Sequence, residues 1–373
     1  MYRYQHELVK KEALYIAGPE CFYKYGYDAL AAMRKRAESL GFSVTLPNDD
    51  PLDMENPDLQ KRADSIFANL EKVMLDTTAI VSDLEAYRGS EPDSGTIFEI
   101  GMAYAKGAKS YGYTRDKRSF GTKNLYAHLE NGTVTDEFGN CEMYCRLPFA
   151  PSIIGSTKIV EGDFDDCIKM MITDIEEEAK RKAHRGYTVD NSKARTREPG
   201  SEPLIYLAGT GRYTKDAEER FEKMKEICRK HGLTAVTPLD QAPGVEEIET
   251  DNPYTWAANV FDNCQQHVRN CDVVVADLND YRGYEVNNDV GFECGMGFQL
   301  GKKLYGYMDD TTRLIDRIPN LGEEGEFRDH TGSNVENFNY PANLMFSCCM
   351  NIMEGKFEEI IAKVAEDLAA AQK

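Results

Sequence analysis

Short apolar runs closed by glycine or proline alternate along the chain with apolar positions at helical spacing. LYIAG at 14–18 is such a run and reads as a buried parallel strand feeding a turn. Helical spacing follows over Asp28–Leu40, with Leu30, Met33, Ala37 and Leu40 on one face and Gly41 as the C-terminal stop. FSVTLP at 42–47 is a second strand closed by Pro47, and residues 60–75 form an amphipathic helix with Ile66, Leu70 and Val73 on one side. AIVSDL at 79–84 is a third strand, 94–107 a helix ending at Gly107, and KSYGYT at 109–114 a fourth strand. This alternation predicts an α/β fold, a doubly wound parallel sheet of the flavodoxin or Rossmann kind. Ligands of such sheets sit beyond the carboxyl ends of the strands, which is where Gly18, Pro47 and Asp83 fall.

The whole pattern occurs twice. LYIAG returns as IYLAG at 205–209, AIVSDLEAYRG at 79–89 as VVVADLNDYRG at 273–283, and IFEIGMAYAKG at 97–107 as GFECGMGFQLG at 291–301. Asp277 is the second copy's strand-end aspartate. Because the offset stays nearly constant, one domain is duplicated, which excludes a solenoid of short units. The polar segment 184–203 contains Pro and Gly and reads as a linker, giving domains at 1–183 and 204–373.

Composition narrows the function classes. Sixty-four acidic against 44 basic residues give a net charge of −20, which repels polyanions and excludes nucleic-acid binding by phosphate neutralisation. No apolar run approaches a membrane span and the first residues lack a signal peptide's apolar stretch, so the expected compartment is the cytoplasm. The ten cysteines are scattered without a CxxC pair, and the six histidines form no HxxxH or HExxH pair, so no metal site is expected. Walker A and GxGxxG sequences are absent too, and ATP and NAD lack their motifs.

Candidate chemistry lies after the third strand of the first copy. Asp93, Ser94, Gly95 and Thr96 read as a turn and N-cap, and Glu99 follows about one and a half helical turns inside. Two readings of this spacing stay open. The carboxylates could converge on one small ligand, with the helix N-terminus favouring an ionised, nucleophilic Glu99. Alternatively Asp93 is only a cap and Glu99 a solvated surface residue.

Taken together, YIAGPECF at 15–22, SDLEAYRGSEPDSGTIFEIGMAYAKG at 82–107 and NYPANLMF at 339–346 resemble the nucleoside 2-deoxyribosyltransferase family. The resemblance implies cofactor-free transfer of 2-deoxyribose between bases through a covalent sugar–glutamate intermediate. Glu99 would be the nucleophile, Asp93 the holder of a sugar hydroxyl, and Tyr15 the residue that positions Glu99. Gly18, Pro19 and Phe22 would line the base side, with Gly95, Asp49 and Asn69 as further substrate-binding residues. Partners would be deoxynucleosides and free nucleobases.

The two copies differ at these positions. In the second, Tyr206 and Glu293 match Tyr15 and Glu99, Asn263 matches Asn69, but Asn287 replaces Asp93, and Arg212 and Tyr213 fall where the base would sit. The family also completes its sugar site with an Asn from the neighbouring subunit. Asn343 matches that residue in copy two, whereas copy one has Ala150 there. The expectation is an internal pseudo-dimer with one working site, built from Glu99, Asp93 and Asn343, while further association of chains stays open. Three classes compete: a transferase, an N-glycoside hydrolase on deoxynucleosides or their 5′-monophosphates, and a non-catalytic nucleoside sensor.

Overall fold

A computed structural model describes residues 9–49, 52–123, 128–130, 133–185, 198, 201–322 and 327–371. The first copy contributes strands β1 (Ala13–Ala17), β2 (Ser43–Thr45), β3 (Ala79–Asp83), β4 (Lys109–Thr114) and β5 (Lys158–Glu161). Its main helices are α1 (Gly26–Ser39), α2 (Leu59–Asp76), α3 (Ser94–Ala105) and α4 (Phe164–Arg185). All five strands are parallel, in the order β2-β1-β3-β4-β5, with Tyr15 level with Thr45 on one side and Ile80 on the other. The second copy repeats this order with β6 (Leu204–Ala208), β7 (Thr234–Val236), β8 (Val273–Asp277), β9 (Lys303–Met308) and β10 (Asn351–Glu354). Its main helices are α5 (Ala217–Lys230), α6 (Pro253–Asn270), α7 (Asn288–Gln299) and α8 (Phe357–Ala371). The chain is thus α/β and doubly wound twice over, and strand order reverses between β1 and β3, where such sheets bind ligands.

The chain divides into two compact units, and these do not follow the copies from end to end. The first unit holds Met1–Asp116, Thr157–Ser192 and also Thr312–Cys348 from copy two. The second holds Lys193–Thr311, Cys349–Lys373 and also Lys117–Ser156 from copy one. Each copy therefore gives one arm to the unit built on the other copy's sheet. Most of the proposed linker at 184–203 lies outside the described residues. No described helix is long and apolar enough to cross a membrane.

In the first unit, one face of the sheet packs Leu14, Ile16 and Val81 against Leu30 of α1 and Phe164, Ile168 and Met171 of α4. On the opposite side lies α3, every residue of which from Ser94 to Ala103 is buried. A helix buried all round needs apolar residues all round, which explains the run IFEIGMA where a one-sided stripe would otherwise be expected. The arm covers it: Phe98 of α3 meets Phe346 edge to face at 5.4 Å between ring centroids. Burying a side chain of that size contributes about 1.5–3 kcal/mol.

Candidate active site

The third strand of the first unit ends at Asp83, and the loop that follows is shaped by Arg88. Its φ is 49°, in the left-handed region that a non-glycine residue seldom adopts. This turn directs the guanidinium inward, where Nε donates to Asp329 Oδ2 at 2.9 Å and an Nη donates to the Asn334 carbonyl at 2.6 Å. The ring of Tyr87 stacks on it at 4.7 Å and that of Phe22 at 5.6 Å. Arg88 thus fastens the arm from copy two over the first sheet's ligand-binding edge. The second unit repeats the device one repeat later: Arg282, φ 55°, pairs with Asp136 of its arm. The YRG tripeptide marked this place in the sequence, but its partners stand too far along the chain to be inferred from it.

Asp93 caps α3, its Oδ2 accepting from Thr96 N and Thr96 Oγ1, each at 2.7 Å. Glu99 lies on the same helix, only 4% exposed, and Tyr15 donates its hydroxyl to Glu99 Oε1 at 2.7 Å. The solvated-surface reading of Glu99 is therefore corrected. The helix terminus does not govern its charge either: burial dominates, pushing Glu99 up to about 8, with Tyr15 opposing and the charges of Asp93 and Glu20 adding. Burial also raises Asp93, against the bonds from Thr96 and the charge of Arg88. A carboxyl pair lies beside this group. Burial and the Asp83 charge push Glu20 up to about 8 against a bond from Tyr113, and burial pushes Asp83 up to about 6.

Asp93 and Glu99 open onto a cavity of about 380 Å³ that lies wholly within the first unit. Gly18, Phe22 and Gly95 line it, and so does Asn343 of the arm. Asn343 stands against Gly95 so closely that a Cβ there would meet its Nδ2 at 2.8 Å. The remaining lining is largely apolar, with Tyr27, Leu52, Met54, Ile66 and Phe338. Tyr15 supports Glu99 from within the core, and Pro19 opens the short 3-10 helix Pro19–Phe22 without lining the cavity.

Two expected substrate contacts lie elsewhere. Asp49 is exposed and its carboxylate is occupied by the Leu46 amide at 2.9 Å and by Arg34. The cavity wall there is Pro47 and Asn48. Asn69 is buried on α2 and donates to the Pro47 carbonyl at 2.8 Å, so it holds the loop that forms the wall. Asn263 does the same in the second unit, donating to Pro238 O at 3.1 Å and Asp240 O at 2.8 Å. Glu336 of the arm also lines the cavity, and no pattern in the sequence pointed to it.

The second unit has the same frame with a different content. Tyr206 donates to Glu293 Oε1 at 2.8 Å, matching Tyr15 and Glu99. Arg212, however, grips both oxygens of Glu293 at 2.5 and 2.9 Å. Burial works against the charge on Arg212, but Glu293 outweighs it and holds the guanidinium protonated. Asn287 caps α7 through Asp289 N and Val290 N, and Asp289 is occupied by Ser152 N at 2.9 Å and the Tyr213 hydroxyl at 2.7 Å. Only about 10 Å³ remains open between these side chains, too little for a sugar or a base.

Fold and site together define a doubly wound α/β protein with buried carboxylates at the edge where strand order reverses. The chain belongs to the nucleoside 2-deoxyribosyltransferase family, whose profile matches residues 14–176 and again 205–345, as a tandem duplication would. An uncharacterised protein of Schizosaccharomyces pombe is 27% identical over 122 residues, 32% of this chain and 57% of that protein. The match thus spans little more than half of that relative's length. Among solved structures, a 2-desoxiribosyltransferase from Leishmania mexicana is 25% identical, covering 44% of this chain and 97% of its own, with a TM-score of 0.36.

Proposed function

We propose that the first unit transfers 2-deoxyribose between nucleobases through a covalent deoxyribosyl–Glu99 ester. The observation that carries this reading is Glu99 itself, a buried carboxyl at the cavity with one oxygen fixed by Tyr15 and no cation paired with it among the described residues. Ionised Glu99 attacks the anomeric carbon as the bond to the leaving base nitrogen breaks. A nitrogen of the incoming base then displaces the carboxylate, and two inversions give net retention. Asp93 and Asn343 hold the sugar, Gly95 leaves room for Asn343, and Phe22, Tyr27 and Ile66 contact the base. No cofactor enters the scheme. Because burial keeps the Glu99 proton on up to about pH 8, attack requires its loss, and kcat/KM rises with pH towards that value.

Mass spectrometry of the chain after incubation with deoxynucleosides tests the reading. A deoxyribosyl adduct on Glu99 that disappears when an acceptor base is added supports transfer. Free deoxyribose accumulating at the same rate with or without that base would make the protein a hydrolase.

A further inference from the structure

In the first unit's cavity two carboxylate oxygens have no hydrogen-bond partner, Asp93 Oδ1 and Glu336 Oε2. Both residues line the cavity and are only 3% and 7% exposed. Their other oxygens are occupied. Asp93 Oδ2 takes two donors of Thr96, and Glu336 Oε1 faces the Leu344 amide at 3.4 Å. The carboxyls also feel each other: burial pushes Glu336 up to about 7, with Arg88 opposing and the Asp93 charge adding. An unmet buried acceptor is costly to the folded protein, so the cavity suits a ligand that brings hydrogen-bond donors. A hydroxyl does that. A phosphate brings acceptors and negative charge instead, and the basic residue of the described lining, Arg62, already has its Nε on the Asn56 carbonyl at 2.6 Å.

A second observation comes from the repeat. Glu336 stands seven residues before Asn343 on the arm that Arg88 fastens. One repeat earlier, the spacing that pairs Asp136 with Asp329 and Ala150 with Asn343 puts Met143 opposite Glu336. The unit with an open cavity receives both polar residues; the unit with a filled one receives neither.

We propose that Glu336 is a further substrate-binding residue, forming with Asp93 a paired acceptor for a free sugar hydroxyl and selecting nucleosides over their phosphate esters. This rests on the deoxyribosyl-transfer reading of the same site.

The test is calorimetric binding to the full chain in a Glu99→Gln background, which blocks turnover. The ligands are a deoxynucleoside, its 3′-deoxy and 5′-deoxy analogues, and its 5′-monophosphate, each with and without Glu336→Met. With Glu336 present, loss of one of the two hydroxyls weakens binding about ten- to a hundredfold. In Glu336→Met the penalty for that hydroxyl falls to about threefold or less, and the monophosphate gains at least about tenfold relative to the nucleoside. Glu336→Gln, which keeps the shape but not the charge, shows the gain for the monophosphate even if the Met variant does not fold. Unchanged hydroxyl penalties and unchanged phosphate discrimination would overturn the inference. A chain with Glu99 intact that binds nucleosides with this pattern yet exchanges no base overturns the transfer reading and leaves Glu336 in place. Absence of all binding sinks both.

Discussion

Glu99 and Glu293 occupy the same position of the same fold, each buried on the helix after the third strand and each bonded to a first-strand tyrosine. What separates them is the residue that comes next to them. Beside Glu99 there is a cavity; beside Glu293 the Arg212 guanidinium fills that space and neutralises the carboxylate. A fold fixes where a carboxyl stands, whereas the neighbouring turn decides whether it can react or merely hold the structure together. GPECF and GTGRY, the sequences after the first strands, carry that decision.

The comparison can be broken most sharply at the glutamates. Glu99→Gln should lower base exchange by about a thousandfold or more, a barrier increase of about 4 kcal/mol, while leaving deoxynucleoside binding measurable. Near-normal exchange in this variant would remove the first unit's claim to the chemistry. Arg212→Ala should leave Glu293 buried without its cation and destabilise the protein by about 3–5 kcal/mol in denaturant unfolding. A neutral result would mean that the ion pair is not the support of the second unit. Next comes Asn343→Ala, which should reduce exchange about ten- to a hundredfold through a lost sugar contact, although it lies in the other copy's sequence. If exchange at Glu99 is untouched, the arm is cover only.

The smallest effect is on pH dependence. Glu99, Glu20, Glu336 and Asp83 lie at about 8, 8, 7 and 6, all above their ordinary values. The folded protein therefore keeps protons that the unfolded chain releases. The corresponding stability is complete below their ordinary values near about 4 and is lost progressively as pH rises from there to the folded values at roughly 6–8. Glu99→Gln removes one such group without emptying its space. Its Tm should match the wild type near about pH 4 and exceed it by several degrees near about pH 8.5. Equal melting curves at both values would show that Glu99 is solvated enough to ionise freely.

Much of this architecture could be read from the chain. The first four strands and first three helices of the first copy fall within a residue or two of their apolar runs, several of them bounded by Gly, Pro or a capping Asp, whereas no run was assigned to β5 or α4. Asp93 and Glu99 were legible because a cap and a helix position depend on neighbours in sequence. Asn343 was reachable only through resemblance. Arg88 and Glu336 were out of reach for a physical reason: Arg88 finds its carboxylate 241 residues later, and no local pattern records such a pairing. Asp49 does not line the cavity because a loop after a strand can turn its side chains to solvent and to its own backbone, and Asn69 does not because a helix side chain beside that loop can give its amide to the loop's backbone; spacing alone distinguishes neither from a ligand contact.

The exchanged arms also set a timetable for biosynthesis. Arg88, Phe98 and Gly95 leave the ribosome long before Asp329, Phe346 and Asn343, the residues they meet in the finished unit. At about 5–20 residues per second, the interval is on the order of tens of seconds. Throughout it the nascent first copy holds a cation without its carboxylate and an aromatic face without its cover. Its last stages of folding cannot be local events; they await the return of a distant stretch of chain.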